Sequence, residues 1–423
     1  GGLIKIISKT GETAGGVMQV SSGIGHDLKR VDFAYGSPLG DGWRFHAGGF
    51  YRQGEGPREI GFNGFLGGQI KANLTKEFAN GYTRVYGKYL DDRQPNYGTL
   101  PIAITGTDAN PEIGFLPGYD IRKQGYLSPL TRSYAEVDAN NRPILIDAAD
   151  GLAAKVKALG LEAQFDIAGF TVTNRFRFSD VSGAYNDALP FVTAPAPFFA
   201  QFGGPGARLS YAAGPLAGQT ITDARLLALS VRLHADLESL DNATNDLRAT
   251  RVWEVGGGKL TTTAGVYTSS QDLAMFWNFT STLQDLAGGG RNAPVGITTA
   301  TGVPVTDGGT LSYGFAVGLP FNVYHNRYDV NYDIVAPYGS VNFQIGKLAV
   351  GASVRWDKGD VAGQIFTSSF GGGRPAFVPL DVNSDGQISV AESRVATLPL
   401  TRPVAIDYDY DYLSYSAGVN YRF

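Results

Sequence analysis

The residues best spaced for chemistry lie late in the chain, in Asp381-Val382-Asn383-Ser384-Asp385-Gly386-Gln387-Ile388-Ser389-Val390-Ala391-Glu392. This order matches D-x-[DN]-x-[DN]-G-x5-E in full, the pattern of a calcium-binding loop. Asp381, Asn383 and Asp385 offer side-chain oxygens, and Gly386 makes the sharp turn between them. Gln387 gives its backbone carbonyl, Ser389 acts through water, and Glu392 closes the site with both oxygens. The flanks are not those of a helix-paired loop, because Gly371-Gly372-Gly373 and Pro375 upstream cannot form an entering helix. The expected cofactor is a structural Ca2+, weakly held, that rigidifies a long external loop whose ordering is entropically costly. The alternative is an Asp/Asn/Gly-rich turn that holds no ion.

No catalytic constellation accompanies this loop. The four histidines, His26, His46, His234 and His325, are far apart, and no HExxH, Walker, GxSxG or Ser-x-x-Lys pattern occurs. The glycine clusters at 288–290 and 371–373 lack a strand–helix context for phosphate. Cysteine is absent, which excludes disulfides and thiolate chemistry. A net charge of −4 without a long basic run argues against nucleic acid as a partner. The chain is not expected to be an enzyme.

The elements that would carry the loop read as strands. From Leu413, alternate positions are Leu413, Tyr415, Ala417, Val419, Tyr421 and Phe423, with Ser414, Ser416, Gly418, Asn420 and Arg422 between them. That period of two predicts a strand with one apolar and one polar face. The pattern recurs at Trp43, Phe45, Ala47 and Tyr51, at Val172, Phe176 and Phe178, and at Leu348, Val350, Ala352, Val354 and Trp356. No run of about 18 apolar residues exists, so a membrane span here must be a strand of a closed barrel. Turn-rich joints at 38–42, 79–81, 168–169, 256–258 and 346–347 alternate with long ones at roughly 97–150, 186–237, 280–325 and 367–403. All long loops then fall at one end, as in outer-membrane barrels with short periplasmic turns and long extracellular loops. The predicted class is all-β, a transmembrane antiparallel β-barrel of about twelve strands. A soluble propeller or lectin is the competing fold.

The start of the chain narrows this. Gly1-Gly2-Leu3-Ile4-Lys5-Ile6-Ile7-Ser8-Lys9-Thr10 resembles the last plug strand of TonB-dependent outer-membrane transporters, with Lys5 where that family commonly has Asn. The hairpin at 28–52, the turn Glu77-Phe78-Ala79-Asn80-Gly81 and the Tyr-Asp repeat from Asp407 to Tyr412 extend the resemblance. It implies that residues 1–12 end a plug domain and that 13–423 form the barrel. The family's barrel has 22 strands. The resemblance therefore implies a fragment, without most of the plug and about ten later strands. Gly1-Gly2-Leu3, with neither a start Met nor a signal peptide, agrees with a processed product or a fragment. The terminal Phe423 also fits the end signal of a complete barrel.

The function implied is active uptake of a nutrient, such as an iron chelate or a carbohydrate, across the Gram-negative outer membrane. The partners implied are outer-membrane lipid, a small-molecule substrate and a TonB-type energy-coupling protein acting through the missing N-terminal part. The competing functions are a passive porin-like channel and a soluble or adhesive β protein. Arg44, Arg52, Arg84, Lys88, Arg175, Arg177, Arg355 and Arg422 fall on the expected lumen face. They would attract an anionic ligand, or else pair with plug carboxylates or with Asp32, Glu162 and Asp166. Phe198, Phe199, Phe276, Trp277 and Phe279 are expected in external loops, packing them together, with a short helical turn from Ser281 to Leu286.

Overall fold

A computed structural model describes residues 7–317, 325–367 and 376–423. Gly1–Ile6 of the plug-like start, and Gly371–Gly373 with Pro375 ahead of the Asp381 loop, lie outside the described residues.

One antiparallel sheet forms the wall. Its first strands are β1 (Gly15–Ser22), β2 (Asp27–Gly40), β3 (Trp43–Gly56), β4 (Phe65–Phe78) and β5 (Gly81–Gln94). Then come β6 (Leu152–Ile167), β7 (Phe170–Pro195), β8 (Leu226–Ser239), β9 (Asn242–Val255) and β10 (Gly258–Asp285). The last are β11 (Asn326–Ile345), β12 (Leu348–Thr367) and β13 (Val404–Tyr421). Neighbours in the sheet are neighbours in sequence. β8 and β9 act as one interrupted strand, β8 pairing with the loop-end halves of β7 and β10 and β9 with the turn-end halves. This gives a path of twelve strands.

Turn chemistry sets the registers. Asp41-Gly42, Ala168-Gly169 and Gly256-Gly257 all have positive φ at both residues. That is the two-residue turn whose twist matches the strands it joins. At the opposite end the connections 95–151, 196–225, 286–325 and 368–403 are long.

The alternation read from the sequence becomes two faces. Val350 pairs with Val419, Ala352 with Ala417, Val354 with Tyr415 and Trp356 with Leu413, all on one side. Ser353 and Ser416 meet on the other side, their hydroxyls 2.7 Å apart. The apolar side is uncovered: Val354 is 46% exposed and Trp356 47%. The buried apolar clusters gather instead at the loop end, around Phe199 and Leu283, around Ile60 and Tyr134, and around Val137 and Val395. A soluble sandwich would bury the sheet face itself. A continuous bare apolar face with no core behind it is the surface a barrel presents to lipid. The chain thus builds the wall of a transmembrane β-barrel.

Several strands run further into the expected loops than the alternation indicated. β7 reaches Pro195, and the register shifts between Pro190 and Val192, where proline has no N–H to give the ladder. β10 reaches Asp285, so the helical turn expected from Ser281 to Leu286 is wrong. Val231, Ser230 and Leu229 of β8 pair with Ser281, Thr282 and Leu283, and the short strand Thr310–Tyr313 pairs from the other side. A ladder on both edges overrides a local preference for a turn. Phe276, Trp277 and Phe279 therefore lie on this strand rather than in a loop.

Candidate functional site

The polar side of the sheet is the first candidate. Period-two geometry puts Arg84, Glu162, Arg175 and Asp246 in one row across β5, β6, β7 and β9, because each is the ladder partner of the next. Their charges alternate, the favourable arrangement for cross-strand neighbours. Glu162 accepts from Arg175 at 3.3 Å and from the Tyr82 hydroxyl at 2.6 Å, and lies 3.7 Å from Arg84. Asp246 accepts from the Tyr338 hydroxyl at 2.6 Å.

A second pair spans a whole strand. Arg52 on β3 meets Asp92 on β5 through two parallel bonds, Nε to Oδ1 at 3.0 Å and Nη2 to Oδ2 at 2.6 Å. Between them on β4 is Gly67, the ladder partner of both. Its φ is +132, and a Cβ there would stand 2.2 Å from the Asp91 carbonyl. Glycine therefore leaves the gap over which the pair closes.

Arg44 pairs with Glu77, and Arg355 with Asp357 at 2.7 Å. Of the carboxylates expected to serve these cations, Glu162 does so. Asp32 instead pairs with Arg30 at 2.7 Å, and Asp166 accepts from the Thr171 hydroxyl. Glu77, Asp92, Asp246 and Asp357 were missed. Glu77, Asp92 and Asp246 lie on the polar side of other strands, a relation that appears only once hairpin registers are assigned, whereas Asp357 is two positions from Arg355 on the same strand. Lys88 faces Lys71 across the ladder, and Arg177 donates to Ser179, without an ion-pair partner for either among the described residues. Arg422 lies past the end of β13, exposed and apart from the others.

The start of the described chain lies against this polar side. Ile7 to Thr13, with Ala34, Gly36, His46 and Arg84, encloses a cavity of about 560 Å3. Asn73 donates to the Lys9 carbonyl at 3.0 Å. At Gly11, with φ +77, a Cβ would overlap the Phe45 carbonyl, so glycine is needed for this close approach.

The loop end holds the second candidate. Phe199, on the short helix Ala196–Ala200, is buried beside Leu209, Leu227 and Val295, while Phe198 stays exposed with its ring edge-on to Phe199. His234 is buried and its Nδ1 lies 2.7 Å from Asn186 Oδ1. His325 packs against Phe276, remote from the other histidines.

The Asp381 loop is a closed turn held by its own side chains. Asp381 accepts from the backbone N–H of Asp385 and Gly386, and Asn383 from Asp385. Asp385 accepts from Gln387. Glu392, buried, accepts from Val382 at 2.9 Å and from Ser389 at 3.0 Å, and Ser389 Oγ takes the Glu392 N–H. Asp307 comes in from another loop, accepting from Tyr313 and from Asn383. Burial pushes its carboxyl up, helped by Glu392 and Asp385 and opposed by those two hydrogen bonds. Among the described residues no three His, Asp or Glu groups stand together as metal ligands would.

No family model and no curated protein matches the chain. Solved structures do. The ferric-catecholate import receptor Fiu from E. coli K12 matches in its open form with 13% identity and a TM-score of 0.52, over 98% of this chain and 53% of that one. Its closed form matches with 12% identity and a TM-score of 0.55, over 98% of this chain and 49% of that one. The chain therefore spans about half the length of the receptor it matches. With its meander wall, sorted loops and polar lumen side, the chain has the fold of a TonB-dependent receptor barrel.

Proposed function

We propose that this chain is the barrel wall of an outer-membrane receptor that takes up a small-molecule nutrient, an iron chelate or a carbohydrate, using energy from a TonB-type coupling protein. The observation that carries this reading is the segment Ile7–Thr13 lying against the ion-paired polar side. A segment inside the wall is what a plug would leave there, and an open water channel has no need of one. In this reading residues 1–12 end the plug and 13–423 form the barrel, with its long loops outside the cell. The name of the compared receptor supplies the probe. Cells that make the protein should accumulate a ferric catecholate, or an oligosaccharide if that is the nutrient, and stop when the proton gradient of the inner membrane is collapsed. Uptake of both probes that persists without the gradient would favour the passive channel.

Calcium at Asp381, Asn383, Asp385, Gln387, Ser389 and Glu392 is a separate proposal, carried by residue order alone. Isothermal calorimetry of the full chain with calcium tests it. A calcium-dependent heat lost in Glu392→Ala supports the site, and no heat at millimolar calcium removes it.

A further inference from the structure

Where β8 and β10 rise past the wall, the loop strand Ser133–Val137 packs over them and a cavity of about 190 Å3 lies between. Its lining includes Tyr134, Arg232, Thr282, Gln284, Asp307 and Tyr313. At about 30 Å3 per water, that is room for roughly six waters or a molecule of similar size.

Two buried groups in this lining are incompletely satisfied. Arg232 is 4% exposed. Its Nε donates to Thr282 Oγ1 at 3.2 Å, and its guanidinium lies 4.6 Å from the centre of the Tyr134 ring. No carboxylate among the described residues is within 4.0 Å of it. A buried cation without a paired anion is costly, so such sites are normally completed by one. Glu136 is the acidic group that bears on it, but this side chain is wholly buried and its Oε2 accepts from Asn278 instead. Burial pushes the Glu136 carboxyl up to about 8, which leaves it mostly neutral at pH 7. The Gln284 amide is oriented by its Nε2, which donates to the Tyr126 carbonyl at 2.9 Å. Its Oε1 therefore remains an acceptor, buried and without a donor. Asp307 on the same lining is occupied by Tyr313 and Asn383.

We propose that this cavity binds a small carboxylate that also carries a hydroxyl group, its carboxylate facing Arg232 and its hydroxyl donating to Gln284 Oε1. The anion completes the charge, and the hydroxyl supplies the missing donor. This site is independent of the transport reading.

Calorimetry of the full chain in detergent micelles, with lactate, propanoate and propane-1,2-diol as probes, tests the assignment. Lactate should bind, propanoate should bind about tenfold more weakly, and the diol should not bind. Arg232→Met should remove lactate binding, and Gln284→Leu should lower lactate to the level of propanoate. Hydrogen exchange of Ser133–Val137 guards against misfolding. Without ligand, Arg232→Met should open no faster than the parent, since it removes an unpaired buried charge. Faster opening would mean that Arg232 is already paired with Glu136, and would overturn the proposal. So would lactate heats absent from the parent chain, or equal in Arg232→Met.

Discussion

Glu136 ties the stability of the loop layer to pH. In the unfolded chain its carboxyl has a pKa near 4.5, and burial raises it to about 8 in the fold. Between those values the folded state holds one more proton than the unfolded state. Unfolding stability then falls by about 1.4 kcal/mol per pH unit, and this contribution is complete below about pH 4.5 and lost as pH rises through about 8. Between about pH 5.5 and about pH 7.5 the loss is roughly 3 kcal/mol, or about a hundredfold in the opening equilibrium. The assay is amide hydrogen exchange of the strand Ser133–Val137, normalised for the intrinsic pH dependence of exchange and compared with Glu136→Gln. The parent should lose protection over this range, while Glu136→Gln, neutral throughout, should hold it. Equal slopes in the two proteins would show that Glu136 is ionised in the fold and refute the burial argument.

Four further outcomes follow from the same geometry. Val354→Arg, on the apolar side, should cost about 2–4 kcal/mol in a lipid-based unfolding titration, whereas Ser353→Arg on the polar side should cost far less. Phe199→Ala should cost about 3–5 kcal/mol, read as faster exchange in the loop layer with the wall unaffected. Gly11→Val should displace Ile7–Thr13 from the polar side, measured as a gain in proteolysis at that segment without loss of the sheet. Because the chain has no native cysteine, a Met18→Cys/Val419→Cys pair reports closure of β1 on β13; a disulfide within one chain supports the closed porin, and its absence supports the receptor-wall proposal.

The wall was legible because lipid and lumen are different solvents and each strand is read by both. Leu413, Tyr415 and Val419 against Ser414 and Ser416 already separate the two faces of β13. The turns were legible for a local reason, since Ala168-Gly169 and Gly256-Gly257 suit a backbone with positive φ. Ion-pair partners on other strands were not legible, because they depend on register, unlike Arg30 with Asp32 and Arg355 with Asp357, each two positions apart on one strand. Arg52 and Asp92 are 40 positions apart and meet only because Gly67 lies between them. The loop layer was hidden for a third reason. Phe276 and Ser281 look like loop residues in sequence, and only the strands on either side of β10 extend it to Asp285. In the Asp381 loop the residue order was readable, but the direction of each carboxylate depends on which backbone N–H groups the turn presents.

The two parts of the molecule meet different physical demands. The wall needs no core of its own: lipid takes its apolar side, ion pairs and the segment Ile7–Thr13 lie on the other, and its cohesion is the hydrogen-bond ladder. The loop layer stands beyond the membrane and must bury apolar surface as a soluble domain does, which is why the clusters around Phe199, Tyr134 and Val395 all lie there. A ladder is only as complete as its edges. Among the described residues β1 pairs with β2 alone and β13 with β12 alone, so each has one row of backbone groups without a strand to match it. In hydrocarbon an unmatched row costs several kcal/mol per group. The wall can therefore be stable in lipid only where further strands, or the two edges together, complete that ladder, whereas the loop layer carries the means of its stability within itself.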